Sequence, residues 1–269
     1  MPREILSLLW VDHPEMTQEW YLREKARLPD DVMAREIDIN YSLSARGVVF
    51  KEFKEAHIIR GEFVLSPNLP VVRFHDYGKT YASLFSQKDN FGNLTFFHEI
   101  VGINETDPTG KQARAVVSYS ANLVCQGFID HDDPAGSSDN YVNSEETSYK
   151  VMAAHDIHPT HAVQGAHNAR RRNRVDITKR KLAEFPEGSP VIRVHERCRY
   201  LIDALQSGYR YREDSKTKEI TDDILEEHPH EDLADCFGGT IVEQLTVETS
   251  LPIPRRQRRQ GNPYTGYHH

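Results

Sequence analysis

Three extended apolar runs follow one another between residues 70 and 102, and the turns between them constrain the fold more than any other feature of the chain. Val71, Val72 and Phe74 lead to Asp76, and Gly78 breaks the run. Tyr81 to Asp89 forms the second run, the turn Asp89-Asn90-Phe91-Gly92-Asn93 follows, and Leu94 to Ile103 forms the third. Short connections of this kind pair neighbouring strands antiparallel, so a three-stranded meander is expected. After the meander the pattern changes. Residues 109–123 carry Ala113, Val116, Val117 and Tyr119 at helical spacing, and 123–132 reads as a strand running into an acidic turn. Ser144-Glu145-Glu146-Thr147 fits a helix start, a basic helix is expected from about Arg174 to Phe185, and Ser189 to His195 is a short strand. Cys198, Leu201, Ile202 and Leu205 fall at i, i+3, i+4 and i+7 of a helix that Gly208 ends. A hairpin with a charged tip over 209–220 and a last helix over 230–245 complete the series. Strands followed by alternating helices and strands predict a mixed α/β sheet with helices on both faces.

The flanks read differently. Residues 1–45 are expected to be mostly helical, broken near Pro29, with Trp20, Tyr21, Leu28, Val32 and Met33 needing cover. Residues 1–60 are taken as a helical arm and linker, 61–250 as the main domain, and 251–269, rich in Pro, Arg, Gln and Gly, as a flexible basic tail. No apolar run approaches the roughly 20 residues of a membrane span, and the N-terminus lacks the apolar core of a signal peptide. Cys125, Cys198 and Cys236 are far apart and form no CxxC, which excludes a disulfide framework and a cysteine-rich zinc site. A reducing, cytoplasmic setting without membrane partners is expected.

The net charge of -8 hides a separation of signs. Arg170, Arg171, Arg172, Arg174, Lys179, Arg180 and Lys181 crowd one short segment, with Asp176 the only acid in it. Acids crowd 130–146 and 213–235. A basic zone beside an acidic one suits an enzyme that uses metal ions on a polyanion. The acids also fall at telling positions. Asp76 ends the first core strand, Asp133 stands before Pro134 at the end of a later one, and Asp232 and Asp235 share a face of the last helix. Were Asp76, Asp133 and Asp235 to converge, their repulsion would be relieved by hard divalent cations such as Mg²⁺ or Mn²⁺, and two such ions can drive phosphodiester hydrolysis. Asp130 and Asp132 crowd Asp133 and remain alternatives for the second acid. His155, His158 and His161 are spaced three apart, but Pro159 interrupts a helical zinc site.

The order of elements is similar to that of ribonuclease-H-like folds. Several strings extend the likeness: Leu8-Leu9-Trp10-Val11-Asp12-His13-Pro14 with Glu19-Trp20-Tyr21, Gly47-Val48-Val49-Phe50 with Phe53, His75-Asp76-Tyr77-Gly78, Asp133-Pro134-Ala135-Gly136, and His230-Glu231-Asp232-Leu233-Ala234-Asp235-Cys236. Arg199-Tyr200-Leu201-Ile202 and Gly208-Tyr209-Arg210-Tyr211 lie between the last two. In this order they resemble the C-terminal nuclease region of a tailed-bacteriophage terminase large subunit, the DNA-packaging motor protein. The resemblance implies a two-metal endonuclease that cuts concatemeric double-stranded viral DNA. In it Asp76, Asp133 and Asp235 are catalytic and, with Asp232 as auxiliary, hold two Mg²⁺ or Mn²⁺ ions. Glu99, Asp132 and His230 are candidates for supporting these ligands. The basic residues from Arg170 to Lys181 would contact phosphates. Cys236 departs from the family's usual Ala at its position.

A packaging motor also needs an ATPase, and the P-loop pattern GxxxxGK[ST] is missing: Gly110-Lys111 lacks the upstream Gly and the following Ser or Thr. The chain is therefore expected to carry no motor domain of its own and to be an excised domain or one product of a split gene. The partners implied are double-stranded DNA, a terminase motor ATPase, a small terminase subunit and the portal. Two rival readings share the composition: another ribonuclease-H-like DNA nuclease such as a resolvase or transposase, and a non-catalytic module that binds DNA or docks on the portal.

Overall fold

The structure, a computed structural model, describes residues 16–27, 47–132, 147–161, 171–214, 216–217 and 219–246. The three predicted runs form β2 (Val71–Asp76), β3 (Tyr81–Lys88) and β4 (Leu94–Gly102), an antiparallel meander. Asp89 builds the turn between β3 and β4: its Oδ1 accepts from the backbone N–H of Phe91 (2.9 Å) and Asn93 (2.8 Å). Four further strands add in parallel at the two sides. These are β1 (Ile58–Ile59), β5 (Phe128–Asp132), β6 (Thr160–His161) and β7 (Ile192–His195), and the seven-stranded order is β1-β7-β4-β3-β2-β5-β6. A meander extended by parallel strands, with helices between them, is the ribonuclease-H-like arrangement expected.

Two apolar layers flank this sheet because side chains alternate along each strand. Phe74, Ala82, Leu84, Leu94, Phe96, Ile192 and Val194 face one way, against the last helix, α6 (His230–Leu245). Val71, Phe85 and Phe97 face the other way, against Ala113 and Val116 of α2 (Pro108–Ser120) and Met152 of α3 (Ser148–Ala153). Thr147 caps α3, its hydroxyl accepting from the Lys150 N–H at 3.4 Å. The core also extends across the boundary expected at residue 60. Val49, Phe50 and Phe53 are buried with Phe237, and β1 pairs with β7, so the segment from Gly47 belongs to the main unit. Upstream, α1 (Gln18–Arg27) buries none of its residues. The calls on residues 1–15, 28–46 and 247–269 lie outside the described residues.

The basic helix, α4 (Arg171–Leu182), begins and ends three residues before its expected bounds, and Leu182 is fully buried. Pro186 accounts for the early stop, because the residue before a proline is driven out of the helical region. The amphipathic stretch after Cys198 is α5 (Arg199–Asp203), continued by a wide π-helical turn over Ala204–Gly208. The hairpin is β8 (Tyr211–Glu213) paired with β9 (Ile220–Ile224), so its return strand lies beyond the expected end at 220. No helix among the described residues is long and apolar enough to cross a membrane.

Two glycines sit in mid-helix in α6, where glycine ordinarily costs about 1 kcal/mol against alanine. Packing explains them. A Cβ on Gly239 would overlap the Phe74 ring, and one on Gly238 would stand 2.9 Å from Cγ of Arg174. The helix can thus lie close against β2. Gly239→Ala is expected to destabilise the fold by about 1–3 kcal/mol despite its better helix propensity, since the neighbour is a fully buried ring. Urea unfolding measures this, and a variant as stable as the parent would mean that α6 rides higher on the sheet.

Candidate active site

The carboxyl ends of β2 and β5 lie side by side, with Val71 opposite Phe128 and His75 opposite Asp132 in parallel register. Sheet proteins of mixed α/β type place ligands at such ends. Asp76 is the last residue of β2 and shares the α6 face with Phe74. Its backbone is pinned from the opposite side. Nε2 of Gln112, on α2, lies 3.0 Å from the Asp76 carbonyl, 2.9 Å from that of Ala82 and 3.0 Å from the Ser83 hydroxyl.

Across from Asp76, α6 presents Asp232, Asp235 and Cys236 at i, i+3 and i+4, each less than a tenth exposed. The thiol of Cys236 points at the Ala82 carbonyl (3.8 Å). Burial pushes this thiol well above its ordinary range, and the negative charges of Asp76, Asp232 and Asp235 push it further. Those three carboxylates therefore surround one buried sulfur. Asp232 accepts from Nδ1 of His228 at 2.8 Å. Burial drives the Asp232 carboxyl up, and His228 opposes this. In turn, burial works against the charged His228, but Asp232, Glu231 and Glu226 outweigh it, so its pKa is raised. Asp235 is held by Arg174 (2.7 Å) and Arg171 (3.1 Å), both on Oδ2, while the Tyr209 hydroxyl donates to Oδ1 at 3.4 Å. Arg171 also binds Glu231.

The alternation of β5 puts Asp130 and Asp132 on the opposite face of the sheet. Asp130 forms a bidentate pair with Arg73 (2.6 and 2.7 Å) and contacts His75 at 3.2 Å. Burial raises this carboxyl, but the hydrogen bonds from His75 and Arg73 outweigh it and hold it at about 2. Asp132 is fully buried, and after burial itself its charge is the largest influence raising the Tyr77 phenol. Asp133 lies outside the described residues.

The basic segment is not an open row of cations. Arg174 is buried against Asp235, Arg171 is engaged by Glu231 and Asp235, and Lys181 pairs with Glu184 at 3.0 Å. Lys179 donates to the Tyr211 hydroxyl (3.0 Å) and lies 5.3 Å from the centre of that ring. Arg172 and Arg180 are exposed, and Arg170 lies outside the described residues. The reading of this segment as a solvent-facing grip is corrected for Arg171 and Arg174. Helical periodicity turns both towards α6, where the carboxylates are. Glu99 is likewise committed elsewhere: two strands from Asp76, it accepts from the N–H groups of Tyr200 and Leu201 (both 2.9 Å) at the start of α5. The His230 ring packs on Gly208. The sequence reading missed His228, although its i, i+4 spacing to Asp232 was a signal. The pairing of Arg171 and Arg174 with Asp235 left none, because those residues are about sixty apart along the chain.

Buried carboxylate oxygens are the donors that Mg²⁺ or Mn²⁺ prefers, so the donor set fits such a cation in kind. Among the described residues no group of three or more His, Cys, Asp or Glu side chains is arranged to hold a metal ion, and the expected partner Asp133 is outside them.

Comparison with protein-family models and with curated proteins finds no match. Solved structures do match. The large terminase of a thermophilic bacteriophage aligns with 88% of this chain at 15% identity and a TM-score of 0.53. The chain spans 55% of that protein's length. The P22 large terminase nuclease domain aligns with 73% of this chain and 91% of its own length, at 15% identity and a TM-score of 0.53. From the meander at residue 71 to the end of α6, the chain carries the fold of a large-terminase nuclease domain.

Proposed function

We propose that this chain is a metal-dependent endonuclease acting on double-stranded DNA during viral genome packaging. One observation carries the reading: at the strand ends of a terminase-nuclease fold, Asp76 of β2 faces Asp232 and Asp235 of α6 around a single buried residue. Asp76, Asp133 and Asp235, with Asp232 as auxiliary, would hold two Mg²⁺ or Mn²⁺ ions. When bound, such ions supply a water activated for attack and charge stabilisation at the leaving oxygen. Asp133 is favoured as the second strand-end acid because Asp130 and Asp132 sit on the far face, Asp130 within an ion pair.

The chain's own residues shape the rest. Gln112 holds the end of β2 in place, and Arg174 sets the position of Asp235. The packaging context, with a motor ATPase, a small terminase subunit and the portal as partners, belongs to the same proposal.

Nicking of supercoiled plasmid with Mg²⁺, with Mn²⁺ and with EDTA tests it. Cleavage that needs the metal supports the reading, and a chain that never nicks DNA but still binds it would be a non-catalytic module. For DNA contact, the exposed Arg172 and Arg180 are the candidates that remain on α4. Replacing both with Ala is expected to weaken binding to all duplexes alike and to lower the slope of log affinity against log salt by about two units. Fluorescence anisotropy at several salt concentrations reads that slope, and an unchanged value would place the DNA elsewhere.

A further inference from the structure

Two guanidiniums share Oδ2 of Asp235, and their surroundings differ. The Arg174 side chain is 7% exposed, packs against Gly238 and lies 2.7 Å from the carboxylate. The Arg171 side chain is 38% exposed, bridges Asp235 (3.1 Å) and Glu231, and has Glu226 within 3.9 Å on its outer side. It also lines an open cleft of about 540 Å³, together with Arg172, Tyr211 and Arg212. Withdrawing Arg174 would leave a buried charge without its partner, whereas Arg171 can leave into water or towards Glu226.

We propose that Arg171 is an exchangeable cation of this site: its guanidinium neutralises Asp235 and Glu231 in the metal-free protein and gives way when a divalent cation binds Asp235. Arg171 is then a positioning residue and Arg174 a fixed one. This rests on the metal-binding reading of Asp235 given above. Metal would have to displace Arg171 before using Asp235, so the site would bind metal more weakly than its acids alone allow.

The test is a Mn²⁺ titration of the full chain without DNA, read by electron paramagnetic resonance of free Mn²⁺. A unit charge about 5 Å from a divalent ion, even screened as in water, changes affinity roughly tenfold. Arg171→Gln is therefore expected to tighten Mn²⁺ binding about tenfold. Arg171→Lys keeps the charge but cannot bridge both carboxylates as well, and should tighten it by a smaller factor. Arg60→Gln removes an exposed cation paired with Glu55, away from this site, and should leave the affinity as in the parent. Mn²⁺ binding to Arg171→Gln that equals or falls below the parent's would overturn the exchange while leaving the metal site standing. If Arg171→Gln does not fold, unchanged affinity in Arg171→Lys overturns it instead. Absence of Mn²⁺ binding in the parent and in every variant would sink the metal-site reading itself.

Discussion

Asp76→Asn is expected to lower metal-dependent cleavage of plasmid DNA on the order of a thousandfold. A ligand charge at the reacting centre contributes several kcal/mol of transition-state stabilisation, and each ~1.4 kcal/mol is a factor of ten. The fold should persist. Asp76 stands at the end of a strand whose backbone is held by β3, β5 and Gln112, none of which depends on its charge. Removing one of several neighbouring negative charges should leave the metal-free protein as stable as the parent, or slightly more so. Nicking assays in Mn²⁺ beside thermal unfolding in EDTA separate the two effects. A variant that cuts at the parent's rate would remove Asp76 from the site.

Asp235→Asn should behave differently, because Asp235 has a structural duty that Asp76 lacks. It neutralises Arg174, and both side chains are more than nine-tenths buried. Removing one member of a buried pair leaves the other charge without compensation, at a cost of about 3–5 kcal/mol. The variant is therefore expected to lose activity and also much of its stability, measured by urea unfolding without metal. A second substitution provides the control. Arg174→Met in the Asp235→Asn background removes the stranded charge and should restore a large part of the loss, since an apolar replacement of a buried pair is often neutral. A loss below about 1 kcal/mol in the single variant would show that this pair is solvated.

Comparing these two aspartates shows how far a linear reading reaches. Both stand out by position alone, one at a strand end and one at i+3 from another acid on a helix. The relevant geometry is local: strand alternation and helical periodicity place Asp76, Asp232 and Asp235 without knowledge of the fold. The same local rules make the meander, α2, β7 and the π-turn ending at Gly208 legible. For the acids after Phe128, alternation is available too, but the face that β5 turns to α6 depends on its register with β2. Sequence alone therefore keeps Asp130 and Asp132 in contention, and the pairing of His75 with Asp132 puts both on the far face.

The charges are where local reasoning ends. In the sequence, seven basic residues around Arg174 suggest an open electrostatic face. In the fold, α4 packs along α6 and turns Arg171 and Arg174 onto Asp235, so part of the basic zone belongs to the acidic site. Glu99 likewise gains its role from the start of α5, about a hundred residues away. Order of elements, strand limits and the identity of the acids follow from periodicity and turn chemistry, which act over a few residues. Which cation meets which acid, and which side chains remain for DNA, depends on helices packed across a sheet. Coulomb and desolvation terms there depend on distances in space that sequence spacing does not encode.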